Sequence, residues 1–431
     1  MADAASRLRT LAEQLLGARL PIRIRAWDGS VSGPPNGPTL VVRRRRALRR
    51  LMWKPGELGL ARAWVAGDLD IEGDLYRALG LMSGLLWEND EPGRSKRELA
   101  ADPRIRTAAR SLLRLARPLP APPPPREEVG RRSGPLHTKI RDRQSISHHY
   151  DVGNDFYALV LGPSMVYSCA YWESEDATLE DAQRDKLELV CRKLALRPGM
   201  RLLDVGCGWG SMAVHAARAH GVHVVGITLS AEQAAYARKR VADEGLTDRI
   251  EIRVQDYRDV TDGPYDAISS IGMAEHVGSE GYLEYARTLY ALLKPGGRLL
   301  NHQIARRPQD DELAYRVNAF IDAYVFPDGE LAPVGRTTAQ LEQAGFEIRD
   351  LEALREHYAL TLRQWVANLE ARWPEAVRLS SPGRARVWRL YMAASALAFE
   401  GNRIGVNQIL AVKPRATGAS GLPLRARDWR A

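Results

Sequence analysis

The stretch LLDVGCGWG, residues 202 to 210, joins a short apolar run to Asp204 and then to Gly206, Gly208 and Gly210. Glycines at this spacing let a chain turn sharply after a strand and let a ligand come close to main-chain atoms. A dinucleotide calls for the longer G-x-G-x-x-G spacing, with a helix N-terminus aimed at its pyrophosphate. Here the spacing is G-x-G-x-G with an acid before it, which suits a cationic ligand better. The remaining polar chemistry is scattered: Cys169 in YSCAYW, Glu275 in GMAEHVG, His302 in LLNHQI and Tyr358 in HYAL. Glu275 follows the apolar run AISSIGM, where a strand of a parallel sheet delivers side chains to a ligand. A free cysteine is usually a small buried apolar residue. On residue type alone Cys169 and His302 stand open between packing and function, and Tyr358 between a helix cap and a site.

The elements that must position these groups alternate. MRLLDVGC, HVVGITLS, IEIRVQDY, YDAISSIG and GRLLNHQI read as strands, with helices through MAVHAARAH and AEQAAYARKRVADEG between them. Such alternation implies right-handed crossovers and a doubly wound, Rossmann-like α/β sheet, mostly parallel, with its ligand beyond the carboxyl ends of the strands. VWRLYMAASALAFEGNRIGVNQILAV reads as a helix, which could line a substrate pocket or simply pack, a turn and a last, antiparallel strand. Ahead of this, residues 1 to 100 read as a small α+β domain, with a helix over Leu8, Leu11, Leu15 and Leu16 and strand-like IRIRAWDG and TLVVRRRR. An arginine–leucine helix and the proline-rich PAPPPPREEVGRRSG form an expected linker over 101–137, so the catalytic domain is expected over 138–431.

Composition narrows the function. The chain of 431 residues carries a net charge of +9, so its surface will seek phosphates on lipid or nucleic acid. RRRRALRR, residues 43 to 50, lacks interleaved aromatics, which favours anionic phospholipid headgroups over RNA. Each cation near such a surface contributes about 1 kcal/mol. Three cysteines, Cys169, Cys191 and Cys207, without C-x-x-C spacing argue against a disulfide framework and against a structural metal. No apolar run reaches the roughly 18 residues of a membrane span, and the N-terminus is amphipathic rather than a signal peptide, so a cytoplasmic location is expected.

With QDYRD (Gln255 to Asp259) and LKPGG (Leu293 to Gly297), the glycine loop resembles that of class I S-adenosylmethionine-dependent methyltransferases. The resemblance implies Asp256 and Tyr257 beside the adenine. GITLSAEQ lacks the acid that usually holds the ribose, leaving Thr228, Leu229, Ser230 and Gln233 for that role, with Ile271 also at the cofactor. A nicotinamide oxidoreductase would need that acid and the longer glycine spacing.

The blocks SISHHYDVGNDFYALVLGPSMVYSCAYW, GMAEHVG, LLNHQI, YVFPDGEL and HYALTLRQW resemble, more narrowly, the cyclopropane fatty acid synthases, over about residues 145 to 412. That family implies one-carbon transfer to a cis double bond through a carbocation. A bound bicarbonate takes the proton, held by Cys169, Glu275, His302, the backbone of Ile304 and Tyr358, and His276 supports them. Glu275 and His302 are expected to titrate together. Tyr150, Tyr167 and Ser168 belong to a segment that folds over the cofactor. The N-terminal domain resembles that of phospholipid-acting members, which implies an unsaturated phospholipid substrate, attachment to the inner membrane face and a homodimer. A methylene-branched product, with a separate reductase, is the alternative outcome, and a non-catalytic lipid-binding protein the alternative class.

Overall fold

The structure, a computed structural model, describes residues 3–86, 115–116, 120–130, 138–139, 141–142, 152–312, 315 and 317–424. The chain divides into two compact units, one of residues 1–130, 319–325 and 381–397, the other of the remainder.

In the first unit a helix, Ala4–Leu16, starts at the Asp3 cap, whose side chain accepts the Ser6 N–H, and lays Leu8 and Leu11 on a small sheet. That sheet contains β1 (Arg23–Arg25), β2 (Val31–Ser32), β3 (Thr39–Val42) and β4 (Leu69–Glu72) in the order β2-β1-β3-β4. The arginine run opens the helix Arg46–Trp53. Part of its charge is used internally. Arg46 and Arg50 both donate to the fully buried Asp68, and Arg43 donates to Asp70. Burying an acid demands such partners. The proline-rich stretch is likewise held within this unit rather than free. Arg50 donates to the Pro123 carbonyl, Arg62 pairs with Glu128, and Ser381 donates to Glu127. Most of the preceding arginine–leucine helix lies outside the described residues.

The second unit is built on a seven-stranded sheet. Its strands are β5 (Arg201–Val205), β6 (His223–Thr228), β7 (Ile250–Val254), β8 (Tyr265–Ile271), β9 (Leu293–Arg306), β10 (Glu347–Ala353) and β11 (Ile404–Val412). The order is β10-β11-β9-β8-β5-β6-β7. β7, β6, β5, β8 and β9 run parallel, whereas β11 enters antiparallel beside β9, as expected, and β10 is antiparallel to β11. Neighbouring residues alternate between two apolar layers. Leu202, Val224, Leu300 and Leu410 enter one, while Leu203, Val225, Leu299 and Ile409 enter the other. A sheet covered on both faces requires this pattern. The helix Pro382–Glu400, expected as one piece of the catalytic domain, contributes residues 382–397 to the first unit instead.

Candidate active site

The carboxyl ends of β5, β6, β7 and β8 open onto a cavity of about 240 Å³. The glycine loop forms one wall because its backbone takes a path that side chains resist. Gly206 has φ 77°, and a Cβ there would lie 2.4 Å from the Met273 sulfur. The amides of Gly206 and Cys207 both donate to the Ile227 carbonyl, tying the loop to β6. Gly226 in β6 leaves the space that the Cys207 side chain occupies, so Cys207 is a packing residue.

Asp204 sits at the cavity, 2 % exposed. Its Oδ1 accepts from Ser269 at 2.7 Å, while Oδ2 has no hydrogen-bond partner among the described residues. Burial pushes this carboxyl up to about 6, opposed by the Ser269 hydroxyl and the Lys186 charge. Lys186, from the helix Leu179–Leu194, is buried and donates to Ser168 Oγ at 3.0 Å. Burial lowers its ammonium to about 8, against the pull of Cys169 and Asp204. Sequence reasoning missed Lys186; the signal was a lysine inside a helical stripe otherwise made of Ala182, Leu187 and Val190.

Of the sequence-expected cofactor residues, Tyr167, Ser168, Asp204, Gly206, Gly208, Thr228, Leu229, Gln233, Asp256, Tyr257 and Ile271 line the cavity. Tyr150 lies outside the described residues. Two others do a different job. Ser230 caps the helix Ala231–Asp243 by accepting the Gln233 N–H, and its position is buried behind the wall. Gly210 is the turn before the helix Ser211–His220, with φ 81°. Thr228 Oγ1 donates to Gln233 Oε1 at 2.9 Å, fixing two polar groups at the end of β6. Asp256 is gripped by Arg258 through both oxygens, and Arg258 also reaches Asp142. Burial raises the Asp256 pKa, but these bonds outweigh it and hold the carboxyl below its ordinary range. Burial pushes the neighbouring Tyr257 phenol up to about 12.

The expected bicarbonate holders lie outside the cavity lining, along β9 and the N-terminus of the helix Arg355–Ala371. Glu275 opens the helix Ala274–Leu292 and accepts the Ile304 N–H at 2.8 Å through Oε1. Its Oε2 and both ring nitrogens of His302 are buried without hydrogen-bond partners among the described residues. Cys169 Sγ donates to the carbonyls of Ala170 (3.2 Å) and Leu354 (3.6 Å). Leu354 also accepts the Tyr358 N–H and donates to Val406, which faces Ile304 across the β9–β11 ladder. Tyr358 packs against Phe399 and Trp365. His276 lines the cofactor cavity and packs at a tilt against Phe326.

Burial raises Glu275 to about 7, opposed by the Ile304 amide. Burial, reinforced by the charges of Lys186 and Lys193, lowers His302 to about 3. The two shifts have separate causes, each dominated by desolvation. Burial likewise pushes the Cys169 thiol far up, which leaves it a neutral donor rather than a nucleophile.

The recess beside Glu275 and Ile304 measures about 10 Å³, close to the space of one water molecule. Of the expected bicarbonate holders only Glu275 and Ile304 line it, so this recess offers no free volume for such an ion; the polar atoms left unfilled are those of Glu275 and His302. The Ile304 amide and the Cys169 thiol already have partners.

A doubly wound sheet with an acid-preceded glycine loop and a cavity beyond its strand ends defines an S-adenosylmethionine-dependent methyltransferase. Comparison with known proteins narrows the class. The family model for mycolic acid cyclopropane synthetase matches residues 137–409, and the chain belongs to this family. It is 46% identical over 94% of both chains to "Probable fatty acid methyltransferase Rv3720" of Mycobacterium tuberculosis. To the cyclopropane-fatty-acyl-phospholipid synthase of Escherichia coli it is 42% identical, over 61% of this chain and 66% of that one. The solved structure of mycolic acid cyclopropane synthase CmaA1 complexed with SAH and CTAB superposes with TM-score 0.59 at 34% identity, covering 63% of this chain and 98% of that one.

Proposed function

We propose that this enzyme transfers a one-carbon unit from S-adenosylmethionine to the cis double bond of a phospholipid acyl chain, closing a cyclopropane ring. The family supports transfer to a lipid acyl chain; the observation that carries the finer reading is the buried, half-satisfied Glu275 beside the cofactor wall. When bound, the cofactor supplies an electrophilic methyl on a sulfonium.

The chain's own residues prepare that step. Asp204 would offer its free carboxylate oxygen to the cofactor's ammonium, and Lys186, with one of its three N–H donors on Ser168, would hold its carboxylate. Thr228 and Gln233 offer hydroxyl and amide groups to the ribose. Apolar and aromatic side chains, among them Met165, Val166 and Tyr167, keep water from the reacting carbon. Glu275, near half-ionised at neutral pH, is placed to accept a proton. A bicarbonate ion, held through Glu275 and His302 with Cys169 and Tyr358 beside them, would carry that proton.

The relative named a fatty acid methyltransferase is compatible with a second outcome, loss of a different proton to give a methylene branch that a separate reductase would saturate. Action at the inner membrane face and dimerisation belong to the same proposal. Among the described residues no helix is long and apolar enough to cross a membrane. Incubation with oleoyl phospholipid vesicles and labelled cofactor, followed by proton NMR of the purified C19 ester, distinguishes the outcomes. Ring hydrogens support cyclopropanation, vinyl hydrogens the methylene product, and an unlabelled lipid removes both.

A further inference from the structure

A second cluster of ligand-type side chains lies apart from the cavity, between the helices Leu179–Leu194 and Ser211–His220. Glu188 and Cys191, three residues apart, share a face of the first helix. His215 and His220 come from the second. The Nε2 atoms of both histidines sit 3.1 Å from the same oxygen of Glu188, Oε2. Cys191 Sγ and one nitrogen of each histidine lie within 4.8 Å of one another.

The two Glu188–histidine separations are close to those around a small tetrahedral ion, and Cys191 approaches the same histidines to within 4.8 Å. With metal–nitrogen bonds near 2.05 Å and a metal–sulfur bond near 2.3 Å, neighbouring ligand atoms stand about 3.3 to 3.6 Å apart. We propose that Glu188, Cys191, His215 and His220 form a zinc site that clamps the two helices together. A thiolate and a carboxylate balance the two charges of the ion, and two imidazoles complete a closed set of four, as structural zinc prefers. Support is already present, because the other oxygen of Glu188 is fixed by Arg192 at 2.8 Å. In the metal-free state the same geometry is read as two imidazole N–H groups donating to one carboxylate; with the ion bound each neutral imidazole would carry its proton on Nδ1 and offer Nε2 to the metal, and the thiol proton would be released.

The ligands come as Glu-x-x-Cys and His-x-x-x-x-His on different helices, so the lack of a paired-cysteine spacing concealed them. The clamp has a use. Lys186, two residues before Glu188, and Ser211 and Met212, which begin the second helix, all line the cofactor cavity.

The test uses the full chain purified without an affinity tag, stripped with a chelator and titrated with zinc or cobalt alone. One ion per chain is expected, with a thiolate-to-cobalt charge-transfer band that Cys191→Ser removes. Zinc at a hundredfold excess over its Kd raises the melting temperature by about 5 °C. His220→Asn, at a helix end where folding is undisturbed, abolishes that rise and weakens zinc binding at least tenfold. Absence of stoichiometric binding by folded protein, a cobalt spectrum without the thiolate band, or unchanged affinity in both variants overturns the site.

Discussion

The cofactor cavity and the polar cluster around Glu275 occupy the same carboxyl edge of one sheet, yet they are built by opposite rules. Around the cavity, charge meets charge: Asp256 is gripped by Arg258, and Lys186 stands near Asp204, whose Oδ2 alone is left open beside a countercharge. Around Glu275 the protein leaves polar atoms buried and unmatched, namely Glu275 Oε2 and both nitrogens of His302. A binding surface tolerates prior satisfaction because its ligand adds to the network. A proton-transfer site needs a group whose ionisation is still undecided, and an unmatched carboxyl in a dry place has that property.

The largest effect should come from the unmatched side. Glu275→Gln is expected to lower kcat at least about 100-fold while the Kd for S-adenosylhomocysteine, read by calorimetry, stays within about twofold. Full turnover in that variant would take Glu275 out of the chemistry. The proton acceptor must be ionised, so kcat/KM of the parent enzyme should rise with pH through about 7, and a flat profile from pH 6 to 8 would contradict the assignment.

The same variant sharpens the comparison through stability. The folded-state pKa of Glu275 is raised from 4.5 to about 7, so the folded protein binds more protons than the unfolded chain between those values. Stability contributed by this group is therefore present at low pH and lost as pH rises through about 7. Glu275→Gln should then gain up to about 3 kcal/mol at pH 8 relative to the parent, and little at pH 4. Equal denaturation midpoints for the two proteins at pH 8 would show that the carboxyl is better solvated than its surroundings imply.

On the matched side the effects are smaller. Lys186→Met should raise the KM for S-adenosylmethionine about tenfold, the loss of one charge-assisted contact, with kcat nearly unchanged. An unaltered KM would remove the lysine from the cofactor's carboxylate. Smallest of all, Ser230→Ala should cost about 1 kcal/mol of stability through the lost helix cap, measured by urea denaturation. A large loss of cofactor affinity without loss of stability would return Ser230 to the binding wall.

The parallel sheet was legible because its strands are short apolar runs separated by helical periods, and all five expected strands appear. β10 was not expected. EIRDLEA mixes Ile348 and Leu351 with four charges, and its inward acid Glu352 is acceptable only because Lys193, from a distant helix, donates to it at 2.6 Å. Long-range pairs hid other features too. The arginine run looks exposed until Asp68 and Asp70 arrive from the far end of the small sheet. Motif residues such as Asp204 and Glu275 were legible by type and place. The division of labour between Thr228 and Ser230 was not, since both are small hydroxyls and only the geometry of the following helix makes one of them a cap.

The interleaved partition of the chain bears on its birth. Arg386 donates to the Trp64 and Leu69 carbonyls and to Asp70, and Tyr324 donates to Glu128, so the amino-terminal unit is sewn shut by segments translated last. A ribosome releasing residues in order cannot complete that unit until about position 397 has emerged. The carbonyls of Trp64 and Leu69 and the carboxylates of Asp70 and Glu128 therefore wait for these partners through nearly the whole of synthesis.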